Sequence, residues 1–193
     1  MRQSIKNQLK KIAIVFTLLL SYGLTTSCSS DDDNGNSSGG ELYFKASFGN
    51  INFEVDNTNK EQLDGFVETI STPNFTYYGS QIVAQTIITS GGDTRTFLIY
   101  VYDDEPIGTQ TYSGYQEFHN GGLFYGVQLI YFDQVEQAVY STNLDDPQSS
   151  VTITTINNSV IKGTFSGTLL SPISGEEMVI TNGEFQVERT GSN

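Results

Sequence analysis

The sequence predicts an all-β domain, an antiparallel sandwich of roughly 8–10 strands, with a closed antiparallel barrel as the alternative. Three observations carry this. From Glu41 onward apolar and polar residues alternate with period two. Glycine- and Asn/Asp-rich turn signals interrupt the alternation at short intervals. No stretch keeps a helical period, and Lys60 to Asp64 has room for one turn at most. Many short strands between such turns close into a sandwich or a barrel. A chain of 193 residues suits one domain with a real core, and neither an internal repeat nor a composition break after residue 41 marks a second.

The chain opens on a different kind of segment. Arg2, Lys6, Lys10 and Lys11 make a basic start, and Ile12 to Leu20 (IAIVFTLLL) is an apolar stretch of nine. Nine residues fit a signal-peptide hydrophobic region and fall short of the about 20 that span a bilayer as a helix. Thr25, Thr26 and Ser27 lead into Cys28, the only Cys of the chain. This looks like a lipobox, with Thr25 where an aliphatic residue is usual. It predicts cleavage after residue 27 and a diacylglyceryl thioether on the Cys28 sulfur. Acyl chains in combination anchor a protein firmly, so the expected partner of the N-terminus is a membrane.

Ser29 to Gly40 (SSDDDNGNSSGG) contains no apolar residue and reads as a tether with a reach of about 20 Å. Residues 1–27 are therefore expected to be the signal peptide, 28–40 the lipidated Cys and its tether, and 41–193 the β domain. Four of the nine basic residues and none of the 22 acidic ones precede residue 28, so the chain beyond the cleavage point carries a formal charge of −17. Such a charge opposes nucleic acid as a partner.

Strands are expected at 42–48, 51–55, 66–70, 81–89, 94–102, 123–132, 136–141, 150–156, 161–169, 176–181 and 184–188. Turns are expected at Gly49-Asn50, Gly91-Gly92-Asp93, Gly121-Gly122, Asp145-Asp146-Pro147 and Asn182-Gly183. In the 161–169 segment Ile161, Phe165 and Leu169 share one face with glycines between them, and Lys162, Thr164, Ser166 and Thr168 share the other. Phe185 and Val187 point inward from a polar strand. Thr94 to Tyr102 places Phe97, Ile99 and Val101 on one side and Leu98, Tyr100 and Tyr102 on the other. Leu123 to Phe132 is apolar on both faces, as a central strand is.

Several phrases recur together: Phe44-Lys45-Ala46-Ser47-Phe48, Pro106-Ile107-Gly108-Thr109-Gln110-Thr111-Tyr112, Val151-Thr152-Ile153-Thr154, Ile161 to Thr168, and Ile180-Thr181-Asn182-Gly183-Glu184-Phe185. With the acid run behind Cys28, they resemble a family of Bacteroidetes lipoproteins of unknown function. The resemblance covers most of 42–188 and the head. It implies an outer-membrane lipoprotein of the cell envelope, displayed at the surface by the acidic export signal, and it supplies no site residues.

The side chains offer little catalytic machinery. One Cys and one His exclude a disulfide framework, a CxxC zinc site and multi-His metal centres. His119 lies in a loop-like Phe118-His119-Asn120-Gly121-Gly122 run, and no GxSxG elbow accompanies it. The acid doublets Asp103-Asp104, Asp145-Asp146 and Glu176-Glu177 send adjacent carboxylates to opposite faces of a strand, which does not aim two at one bond. No enzyme activity and no resident cofactor are expected. Calcium is the one metal the loops suit, with Asp103, Asp104, Glu105 and Asp133 as the ligand candidates.

The remaining signal is aromatic: 11 Tyr and 12 Phe, with no Trp. Tyr100 and Tyr102, with Leu98, form the candidate ligand face, and Tyr77-Tyr78, Tyr112 and Tyr115 are read as loop residues. A flat aromatic surface suits a glycan or a surface-protein partner, whereas sheet packing explains the same residues without one. The expected function is a non-catalytic binding or adhesion module. A glycan-binding accessory of polysaccharide uptake and, less so, a polysaccharide hydrolase are the alternatives.

Overall fold

The computed structural model describes residues 41–71, 76–88, 90–117, 124–143 and 147–190. Twelve strands account for most of them, and none of the described residues is helical. In chain order they are β1 (Tyr43–Phe48), β2 (Ile51–Asp56), β3 (Lys60–Ser71), β4 (Thr76–Ile87), β5 (Thr94–Asp103), β6 (Thr111–Ser113), β7 (Tyr115–Glu117), β8 (Phe124–Asp133), β9 (Ala138–Thr142), β10 (Ser149–Ile156), β11 (Val160–Leu170) and β12 (Glu177–Arg189). The all-β reading holds.

By hydrogen bonding these strands make one large, mostly antiparallel sheet, which folds over on itself into two layers. The first layer runs β2-β1-β12-β11-β10-β6 and the second β3-β4-β5-β8, with β9 and β7 sharing the far side of β8. Two short ladders stitch the layers together. One joins β9 to β11 through Thr142–Leu169 and Ser141–Leu170. The other is parallel and joins β3 to β12 through Asp64–Glu188 and Gly65–Arg189. Rings on strands that share no ladder meet across the gap: Phe44 lies 5.1 Å from Phe97, Phe48 4.8 Å from Tyr131, and Phe165 5.3 Å from Phe97. Two faces interleaving this way are consistent with a sandwich whose layers are joined at both edges by the short ladders.

Alternation builds the core as expected. Phe97, Ile99 and Val101 are fully buried, as are Ile161, Phe185, Val187 and Leu129. The Leu123–Phe132 segment becomes the central β8, with Leu129 facing inward and Ile130 outward, both buried. At one end of the core Asp133 accepts from Arg95 Nε at 2.8 Å, from the Tyr131 hydroxyl at 3.2 Å and from the N–H groups of Val135 and Glu136. It holds the β8–β9 turn closed.

Four expectations fail, each for a tertiary reason. Lys60–Asp64 is not a helical turn but the start of β3, drawn into register with Thr86 to Val83 of β4. Asn182-Gly183 is not a turn between two strands but a bulge inside β12, where the pairing slips between Phe165 and Gly167. Glycine is required there because a Cβ on Gly183 would stand 2.5 Å from the Phe165 ring. Tyr77, Tyr78, Tyr112 and Tyr115 sit in strands, not loops. The strand number is twelve, above the expected range, because β6 and β7 are three residues long and carry no readable alternation. Residues 1–40, His119, Gly121-Gly122 and Asp145-Asp146 lie outside the described residues, and with them the signal peptide, Cys28 and the tether.

Candidate functional site

Antiparallel register turns the outer face of the second layer into rows of neighbours. One row is Asp64, Val83, Leu98, Ile130 and Ser141; the next is Phe66, Gln81, Tyr100 and Gln128; the next is Glu68, Gly79, Tyr102 and Gly126. Alternation on β3, β4, β5 and β8 thus gathers residues up to 66 positions apart in the chain, Asp64 to Ile130, on one surface.

The first of these rows does not serve as contact surface. Val83, Leu98 and Ile130 are 8%, 5% and 2% exposed, as buried as the inner core although they face the other way. Leu98 therefore packs between Val83 and Ile130 and is withdrawn as a ligand contact. The tyrosines behave differently. Tyr100 and Tyr102 are half-buried, with rings 6.2 Å apart and only 10° from parallel. Tyr77 lies edge-on to Tyr102 at 6.1 Å. The Gln81 amide donates to the Tyr100 hydroxyl at 3.2 Å, fixing that ring. Burial, with the Glu68 charge second, pushes the Tyr100 hydroxyl up to about 12.

Glu68 is the residue that sequence reading passed over. Its Oε1 lies 3.3 Å from the place a Cβ on Gly79 would occupy, and the Tyr102 ring stands 3.1 Å from the same place. Carboxylate and ring both close over the bare backbone of Gly79, where a larger residue would crowd them. Burial pushes the Glu68 carboxyl above its ordinary value. The alternation of 66–70 already put Glu68 on the face of Phe66, but only register with β4 and β5 brings it beside Tyr102.

The calcium candidates do not converge. Asp103 closes β5, buried, accepting from the Gln110 amide at 3.2 Å and from the Glu105 N–H at 3.3 Å. Burial first and the adjacent Asp104 second push its carboxyl up. Asp104 and Glu105 are exposed. Asp133 lies at the opposite end of β5, about 26 Å away by strand rise. Burial resists its charge, yet the Glu136 N–H and the Arg95 guanidinium outweigh it and hold that carboxyl below the usual range. Among the described residues no three His, Cys, Asp or Glu side chains are placed to share a metal ion.

The outer face of the first layer is of another kind. The β12 bulge opens a hollow of about 550 Å³ there, lined by Ser150, Thr152, Thr164, Ser166, Thr181, Asn182 and Glu184. Its rim is polar, with Lys45 bridging to Glu54 at 3.1 Å nearby.

Fold and side chains together describe an all-β sandwich with one aromatic outer face. Set against protein-family models, curated proteins and solved structures, the chain matches none of them.

Proposed function

We propose that the protein is a lipid-anchored component of the cell envelope, displayed at the outer-membrane surface, whose sandwich is a non-catalytic binding or adhesion module. The observation that carries the binding reading is the Tyr77–Tyr102–Tyr100 cluster beside Glu68 and Gln81 on the second layer's outer face. Aromatic rings with a few polar groups around them are what a recognition surface needs. The anchor rests on the sequence: an export-type head, Cys28 placed just behind it, and the resemblance to Bacteroidetes lipoproteins. Two parallel rings favour a glycan-binding accessory of polysaccharide uptake as the second reading. Catalysis is left aside because Asp103, which stands against its neighbour Asp104, is tied to the Gln110 amide.

Two experiments test this. Cys28→Ala is expected to abolish labelling by radioactive palmitate and to release the protein from membranes; a labelled mutant overturns the anchor. Tyr100→Ser/Tyr102→Ser, screened on glycan arrays and against immobilised envelope proteins, is expected to lose the binding that wild type shows. Binding retained per folded molecule overturns the face.

A further inference from the structure

Glu68 carries a cost that the fold does not offset. It makes no hydrogen bond and no ion pair with any described residue, although burial already disfavours its charge. Taking a carboxylate out of water without a partner is expensive. Covering Gly79 needs only the Tyr102 ring, and a neutral side chain at 68 would leave that packing in place. Nor do the described residues supply a cation: they hold five basic side chains. Lys45 is bridged to Glu54, Arg95 to Asp133, and the Arg189 guanidinium donates to the Asn157 carbonyl. Lys162 faces outward on β11 of the other layer, and Lys60 lies eight residues from Glu68 along β3. A partly desolvated carboxylate flanked by tyrosine rings is the donor set that recognises an organic cation: the ring faces attract it through their quadrupole and the carboxylate through charge.

We infer that Glu68, Tyr102, Tyr100 and Tyr77 form a recognition site for the side-chain ammonium or guanidinium of a lysine or arginine presented by a protein partner. The inference rests on the reading of this face as the binding face and narrows its ligand. Three features support a basic protein over a neutral ligand. Glu68 Oε1 and the Tyr102 ring close together over the bare backbone of Gly79, 3.3 and 3.1 Å from the place a Cβ would take, so carboxylate and ring lie side by side on the outer face. The neighbouring Tyr100 ring stacks on Tyr102 and extends the π surface. A body of charge −17 draws in basic partners over long range.

The test uses the tyrosine ring signals of the full chain, read by NMR during titration with acetyl-Gly-Lys-Gly-amide. The norleucine analogue, matched in length and without the charge, is the control. Saturable shifts at Tyr77, Tyr100 and Tyr102 with the lysine peptide alone are expected, weakened about tenfold by Glu68→Gln and partly recovered by Glu68→Asp. Thermal melts of both variants confirm that they fold. Equal binding of the norleucine peptide, or lysine binding indifferent to Glu68→Gln, overturns the inference. Saturable shifts of the same rings with a neutral oligosaccharide, unchanged in Glu68→Gln, overturn it too while leaving the binding face intact. If neither the peptides nor the oligosaccharides shift these rings, the binding-face reading falls with it.

Discussion

On the outside of the first layer, Lys45, Glu54, Lys162 and Thr164 stand exposed to water. At matching positions on the outside of the second layer, Val83, Leu98 and Ile130 are buried and Phe66, Tyr77, Tyr100 and Tyr102 half-buried. Both outer faces come from the same alternation, and both back onto the same aromatic core. What differs is the chemistry of every second residue. In the first layer it is hydroxyl and charge, which water satisfies. In the second it is apolar and aromatic, with Gln81 and Gln85 bonded along the surface to Tyr100 and Thr96. Alternation thus sorts residues onto two faces without saying which face needs a partner. A strand apolar on both sides, such as β5 or β8, is the sign that its outer face has something to bury.

The largest effects are expected in the core that the two layers share. Phe165 contacts Phe44, Phe97 and Phe185 and lies over Gly183, so Phe165→Ala is expected to cost about 3–5 kcal/mol in chemical denaturation. If the cost is under about 1 kcal/mol, the two layers do not share a core. Next come matched outer positions. Ile130→Ala, on the second layer, is expected to lose about 2–5 kcal/mol, whereas Thr164→Ala, on the first, should stay within about 0.5 kcal/mol. Equal effects would erase the distinction between the faces. Tyr100→Phe removes the hydroxyl that the Gln81 amide bonds while keeping the ring, and should cost about 0.5–1.5 kcal/mol in the same assay. A neutral result would mean that the bond does not fix the ring.

The smallest effect is a pH dependence. The Glu68 carboxyl is raised in the folded protein, so its contribution to stability is fully present below its ordinary unfolded value. That contribution is lost as pH rises through the folded one. Glu68→Gln should therefore gain melting temperature relative to wild type as pH climbs out of the acid range, and the difference should level off once Glu68 is ionised in both states. A difference that shrinks with rising pH would mean that Glu68 has found a cation within the fold.

The fold class, most strand positions and the inner core were legible in the sequence. These follow from local rules: a period of two, and turn residues at strand ends. It also singled out Tyr100 and Tyr102, because they stand opposite Phe97, Ile99 and Val101 on one strand. The rest came from contacts between distant strands. Lys60–Asp64 became strand, because pairing with β4 outweighs a short polar segment's weak local preference. Asn182-Gly183, a turn by composition, became a bulge under Phe165, because two neighbouring strands hold β12 straight through it. Leu98 went from candidate contact to packed residue, since its burial depends on Val83 and Ile130, 15 and 32 positions away. Asp103 and Asp133, alike as loop-edge acids, ended at opposite ends of β5. Glu68 gained its meaning only when register set it beside Tyr102 over Gly79. Contacts between strands far apart in the chain are fixed by register, and register is a property of the closed sheet that no local pattern carries.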